Sequence, residues 1–291
     1  MGISDAQTLV DTNSVKTHLQ NILNTPTARN YLNTASLNQV ADYIKKEFAK
    51  YSASITKQVY EVDGRKYKNI ICSFDTIHFE RLIIGAHYDV CDNQPGADDN
   101  ASGIVGLLEL AKLFQNQKLK YRIDLVAYTL EEPIYFKTEN MGSYVHAKYL
   151  YDNHIKVKGM IALEMIGYFK DTKNSQHYPL KILKPFYGNK GDFITVVQKF
   201  GNGSFPNKYK RKMKHHATIK TKSFKAPASL PGISWSDHLN YWKFGFSALM
   251  ITDTSYLRNE NYHQKTDTIE TLDLVRMCKV IESVYKAVLL I

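Results

Sequence analysis

Strand-length apolar runs alternate with segments of helical period along this chain, and that alternation restricts the fold more than any other feature. Arg81–His87 (RLIIGAH), Tyr121–Leu130, Val157–Ile166 and Phe246–Thr252 are short and rich in aliphatic residues, as expected of strands buried in a central sheet. Between them, Ala101–Phe114 sets Ile104, Leu107, Leu108, Ala111 and Phe114 on one helical face. Met141–Tyr151 reads as a second helix and about Leu272–Leu290 as a closing one. Upstream, Leu37–Ala49 has Val40, Ala41, Ile44 and Phe48 at helical spacing. Ile55–Val62 and Tyr67–Ser73 flank the turn signal Asp63-Gly64 and read as a hairpin. A further helix is expected near Asp192–Phe200. Alternating strands and helices imply a sheet covered on both faces. The expected class is therefore α/β, a three-layer α/β/α sandwich around a mixed, mostly parallel sheet. No internal repeat or low-complexity linker divides the 291 residues. One domain is expected, with residues 1–35 as a helical lead-in and residues 200–230 as a basic insertion within it.

Composition removes several other classes. Hydrophobic residues at 44% and charged residues at 23% match ordinary globular usage, which excludes a fibre or a disordered chain. No apolar run approaches the roughly 20 residues that cross a bilayer, so no membrane association is expected. The opening MGISDAQTLVDTNSV lacks the apolar stretch of a secretory leader. The compartment is expected to be cytoplasmic, or secreted or periplasmic if a leader was removed. The net charge is +10, and Lys208, Lys210, Arg211, Lys212, Lys214, Lys220, Lys222 and Lys225 lie in one stretch without an acidic residue. That concentration reads as a solvated surface segment, with an anionic docking patch as the alternative, and no nucleic-acid partner is expected. Cys72, Cys91 and Cys278 form no metal-ligand spacing, and an odd number cannot pair completely, so they read mostly as buried thiols.

Chemistry-bearing residues collect where the runs end. In open α/β sheets, reactive groups gather beyond the carboxyl ends of the strands. Here those ends carry His87-Tyr88-Asp89, Asp98-Asp99-Asn100, Glu131-Glu132 and Glu164, with Tyr262-His263 between the last strand and the last helix. Each has an ordinary reading alone: a hydrogen-bonded histidine, an Asp-Asp-Asn helix cap, or an exposed glutamate pair. All five at one edge of one sheet point instead to a metal centre. Two histidines with several carboxylates suit zinc, cobalt or manganese. Five ligands hold two ions if one carboxylate is shared, at the metal separations of about 3.5–4 Å usual in two-metal hydrolases.

The segments GAHYDV (Gly85–Val90), PGADDNASG (Pro95–Gly103), TLEEP (Thr129–Pro133), LEMIGY (Leu163–Tyr168), SDH (Ser236–His238) and YHQKTDTIETLD (Tyr262–Asp273) resemble, in order, those of the M28 family of zinc aminopeptidases. The resemblance spans roughly residues 35 to 290. It implies two zinc ions and a peptide substrate. Asp98 would bridge the ions, His87 and Glu164 would complete one, and Glu132 and His263 the other. Glu131 would be the general base, Asp89 would orient His87, Tyr262 would donate to the developing oxyanion, and Asp237 with His238 would stand behind the ligands or in the pocket. The family often carries a cis peptide after its bridging aspartate. Two departures stand out. Glu164 occupies a position that is Asp in many members, so the ion held there is expected to be the weaker one. The stretch PIYFKTENMGS after Glu132 is longer than in many relatives and brings Tyr135 and Phe136 toward the pocket.

Aminopeptidase activity leads these expectations. A carboxypeptidase, dipeptidase or other amidase is the first alternative and would call for a recessed cation such as Arg258. A glutaminyl-cyclase-like acyltransferase working with one zinc is the second, and a noncatalytic binding domain of the same fold is the third.

Overall fold

A computed structural model describes residues 9–291 of the chain, and the part of the lead-in over residues 1–8 lies outside it. Helix α1 (Thr12–Leu23) begins at Asp11, whose carboxylate accepts the Asn13 N–H, and is followed by α2 (Thr34–Phe48). Strands β1 (Ser54–Val62) and β2 (Arg65–Phe74) pair antiparallel around Asp63-Gly64, the expected hairpin. Then come β3 (Arg81–His87), α3 (Gly103–Phe114), β4 (Arg122–Tyr128), α4 (Gly142–Asp152) and β5 (Val157–Leu163). The remainder holds a single turn, α5 (Lys184–Tyr187), then β6 (Ile194–Lys199), α6 (Phe205–His216), β7 (Thr221–Ala226), α7 (His238–Lys243), β8 (Ala248–Thr252) and α8 (Leu274–Leu289).

All eight strands join one mixed sheet in the order β1-β2-β4-β3-β5-β8-β6-β7. Its centre, β4-β3-β5-β8, is parallel, while β2 meets β4 and β6 meets β8 antiparallel. Alternation along the central strands feeds two cores. Leu82, Ile84 and Ala86 pack on one face with residues of α1, α2, α3 and α8, whereas Ile83 packs on the other with Ala147 and Leu150 of α4 and Tyr241 and Trp242 of α7. The three-layer α/β/α class follows. Truncating a fully buried residue such as Ile84 to Ala would cost about 2–5 kcal/mol. Among the described residues no helix is long and apolar enough to cross a membrane.

Two expectations need correction. Residues 194–199 are strand β6, not part of a helix: Ile194, Thr195, Val196 and Val197 are β-branched and buried between β7 and β8. The basic stretch 200–230 is not wholly an insertion, since Thr221–Ala226 supplies one of the two edge strands of the sheet. Lysines on such an edge discourage pairing with another chain.

The topology fixes where chemistry collects. From β3 the chain adds β4 on one side and then β5 on the other, so the direction of strand addition reverses at β3. The parallel strands β3, β4, β5 and β8 all point their carboxyl ends at this crevice, where ligands gather in open α/β sheets.

Candidate metal centre

His87 is the last residue of β3, Glu164 follows the last residue of β5, and Glu131-Glu132 lie three and four residues past β4. His263 comes from the loop between β8 and α8 and holds a left-handed φ of 57°. The remaining carboxylate arrives on the turn before α3. Gly96 starts that turn with φ 65°, and a Cβ there would lie 2.3 Å from both the Asp99 carbonyl oxygen and Val90 Cγ1, so only glycine fits. Asp99 and Asn100 leave helical geometry, and the peptide between them is cis.

That turn decides which aspartate faces the centre, and it is Asp99. One Asp99 oxygen lies 3.4 Å from His87 Nε2 and the other 3.2 Å from His263 Nε2. Asp98 was the expected bridge, but it points the opposite way. Its Oδ1 accepts the Gly167 N–H at 3.0 Å and its Oδ2 accepts from Asn259 Nδ2 at 2.8 Å. The two neighbouring side chains leave the turn in different directions, so the Asp98 carboxylate is committed to the interior and the Asp99 carboxylate to the crevice. Both amides are held from beneath, because the Asp267 carboxylate accepts the N–H groups of Asp98 and Asp99.

The other expected residues converge around Asp99. Glu164 Oε2 is 3.4 Å and Glu131 Oε2 3.7 Å from His87 Nε2, and Glu132 Oε2 is 3.3 Å from His263 Nε2. Asp89 braces both sides of the pair: its oxygens accept the backbone N–H groups of Glu131 and Glu132, while its carbonyl lies 3.2 Å from His87 Nδ1. The Tyr262 ring stacks on His263 with centroids 3.8 Å apart. Asp237 is fully buried, and among the described residues neither of its oxygens completes a hydrogen bond. His238 turns away, its Nε2 lying 2.8 Å from the Ile233 carbonyl. Tyr135 is also turned away, donating to Asp63 at 2.6 Å, whereas Phe136 lines the cavity beside the centre.

Three supporting residues were missed at the level of sequence. Ser236 Oγ donates to Glu164 at 2.7 Å, and Asn100 Nδ2 reaches the Leu163 carbonyl at 2.9 Å. Buried Arg29 donates to the carbonyls of Tyr88, Pro95 and Gly96 and so pins the loop between His87 and Asp99. Ser236 was within sight in the SDH segment. Nothing local marks Arg29.

The electrostatics describe a centre made for cations. Burial raises Glu132 to about 7, and Asp99 adds to that against the two histidines. Burial also raises Glu131 and Glu164, with His87 opposing. Burial opposes charge on His87, yet Glu131, Glu164, Asp89 and Asp99 lift its pKa well above the ordinary value. Burial would raise Asp99 too, but His263 and His87 hold it below the carboxylate range. Four carboxylates so close cannot all stay charged without compensation. His87 Nε2, His263 Nε2 and Glu132 Oε1 are buried and complete no hydrogen bond among the described residues. Leaving such groups unpaired costs about 1–3 kcal/mol each. Donor atoms gather within 4.8 Å of one another as His87-Asp99-Glu164, as His87-Glu131-Glu132 and, with the Cys91 thiol, as Cys91-Glu132-His263, a donor chemistry that fits zinc-type ions.

A cavity of about 380 Å³ opens from this cluster. Asp99, Glu131, Glu132, Glu164 and His263 form its floor; Phe193, Trp235 and Met250 are among its largely apolar walls.

The chain matches the model of peptidase family M28 over residues 69–288. It is 41% identical over 260 residues to the uncharacterized protein YfbL of Escherichia coli (strain K12), covering 87% of this chain and 80% of that one. Leucine aminopeptidase 1 of Arthroderma otae is 29% identical over 221 residues, 72% of this chain and 54% of that protein, so the chain spans about half the length of that relative. Among solved structures, LapB from Legionella pneumophila superposes with a TM-score of 0.75 at 19% identity, over 96% of this chain and 72% of that one. The glutaminyl cyclase of Bacteroides thetaiotaomicron does so with a TM-score of 0.72 at 18% identity, over 96% and 97%. These two likenesses establish a shared fold. With the family match across most of its length and a donor set suited to zinc, the chain belongs to peptidase family M28 and is a zinc-dependent peptidase.

Proposed function

We propose that the chain is a co-catalytic two-zinc aminopeptidase that releases N-terminal residues from peptides. The observation that carries this reading is the Asp99 carboxylate, whose two oxygens face two different histidines. His87 and Glu164 would hold one ion with Asp99, and Glu132 and His263 the other. When bound, such ions lower the pKa of water and polarise the scissile carbonyl.

Glu131 is the general base. Its carboxylate lies 3.7 Å from His87 Nε2 and groups with a Glu132 oxygen, and its backbone N–H is fixed by Asp89. It takes a proton from the attacking water and returns it to the leaving amine, a role contributing typically 10²–10⁴-fold. Tyr262, held flat on His263 and lining the cavity, offers its hydroxyl to the developing oxyanion. The free amine of the substrate meets the carboxylates on the cavity floor, and the side chain it carries meets apolar walls.

The carboxypeptidase alternative loses its candidate residue. Arg258 Nε donates to Gln176 at 2.9 Å, NH1 to the Tyr168 carbonyl at 3.1 Å, and the guanidinium lies over Phe193. It is buried and does not line the cavity, where Lys137 is the sole lysine or arginine among the described residues. The cyclase alternative shares the fold, and its single-zinc chemistry leaves one half of this donor set without a use.

The test is a panel of free-amine, N-blocked, C-blocked and N-terminal glutamine peptides, each assayed with zinc and with chelator. Zinc-dependent hydrolysis restricted to substrates with a free amine is expected. Cleavage of N-blocked peptides, or cyclisation of glutamine without hydrolysis, would overturn the reading.

A further inference from the structure

Among the three cysteines, Cys91 has a different setting. Cys72 and Cys278 belong to the apolar core, whereas Cys91 is half-buried in the loop between His87 and Asp99. Its Sγ, a Glu132 carboxylate oxygen and a His263 ring nitrogen all lie within 4.8 Å of one another. Glu132 is 4% exposed, and its Oε1 completes no hydrogen bond among the described residues. The loop is tied on both sides of the thiol: Val90 donates its N–H to the Arg29 carbonyl at 3.3 Å, and Asn30 Nδ2 donates to the Asp92 carbonyl at 2.6 Å. Cys91 therefore occupies a fixed place beside one half of the centre.

We propose that Cys91 is a further donor to the ion held by Glu132 and His263. The inference rests on the two-ion reading and adds a ligand to it. Zinc–sulfur bonds of about 2.3 Å and zinc–nitrogen or –oxygen bonds of about 2.0–2.2 Å bring donors closer together than 4.8 Å, a contraction that small rotations of Cys91 and Glu132 supply. With Asp99, the half-site then has one sulfur, one nitrogen and two carboxylate donors. Coordination forms one Sγ–metal bond and releases the thiol proton to solvent, with no redox change. Cys91 is not among the residues lining the cavity, so it leaves the substrate-facing position open. A thiolate also changes selectivity. It favours zinc, cobalt and softer ions over magnesium and manganese, whereas the His87-Asp99-Glu164 half, without sulfur, keeps a harder preference.

The full chain, stripped with chelator and titrated with cobalt(II) to two equivalents, reads this directly. A thiolate–cobalt charge-transfer band in the near ultraviolet is expected, retained in Cys72→Ser and Cys278→Ser and lost in Cys91→Ser. In parallel, alkylation of Cys91 by iodoacetamide, mapped by mass spectrometry on the unmodified sequence, should slow roughly tenfold or more when zinc is added. Bound cobalt with no thiolate band, or a band that persists in Cys91→Ser, would overturn the role of Cys91 while leaving the two-ion reading intact. A chain that binds no cobalt would overturn both. Neither readout depends on turnover.

Discussion

The two halves of the centre are built on different parts of the fold. His87 and Glu164 stand at the ends of neighbouring central strands, β3 and β5, and His87 is fully buried. Glu164 is also gripped by the Ser236 hydroxyl. The other half takes Glu132 from the end of β4 but its histidine from a loop, and the His263 side chain is 26% exposed. A strand-end ligand inherits the rigidity of the sheet, while a loop ligand depends on local braces such as the Tyr262 stack. Glu164 looked from its chemistry like the soft ligand. The exposure of the His263 side chain leads us to propose that the opposite half is the looser one.

Substitutions of the neighbouring aspartates should separate the halves from their common link most strongly. Asp99→Asn is expected to lose both ions and all activity. Asp98→Asn should keep both, at a cost of about 1–3 kcal/mol in stability, because its two buried oxygens accept from Gly167 and Asn259 and an amide NH2 cannot accept. Metal analysis and thermal melts on the pair check this, and loss of metal in Asp98→Asn alone would reverse the assignment. Glu131→Gln should lower kcat roughly 10²–10⁴-fold with two ions still bound, in steady-state kinetics beside metal analysis. Retained activity would remove the base from the scheme.

Smaller effects probe each half separately. Ser236→Ala should weaken the ion beside His87 by roughly 10–100-fold, the usual effect of removing a group that orients a ligand, and leave the other ion unchanged in a competitive chelator titration. In unmodified protein, the same titration should remove the ion of the His263 half first, by a margin of several-fold that widens in Cys91→Ser. Simultaneous loss of both ions would show that the difference in burial has no consequence for affinity.

Much of this was legible in the sequence because it follows from periodicity. Strand ends, helix faces and the hairpin depend on local apolar spacing, so β3 and α3 were readable within a few residues, and His87, Glu132, Glu164 and His263, four of the five residues proposed as ligands, converge in the structure. The Asp98–Asp99 choice was not legible, because it depends on whether residues 97–102 wind before α3 begins. The shift is one residue, yet it turns a side chain from crevice to core. Strand β6 was misread because its polar neighbours imitate a helical face, although Ile194, Thr195, Val196 and Val197 carried the β-branched signal. Strand β7 was hidden by its lysines, which suit an edge. Cys91 had no motif at all. Its neighbours Glu132 and His263 lie 41 and 172 residues further along the chain, and only the fold brings them together.

The central claim, a carboxylate of Asp99 shared between two ions, is tested most directly by anomalous scattering at the zinc edge from crystals of the zinc-loaded chain. Two peaks about 3.5–4 Å apart are expected, one beside His87 and Glu164 and one beside Glu132 and His263, with the Asp99 carboxylate between them. A single peak at full zinc loading, or two peaks joined by Asp98, would contradict it.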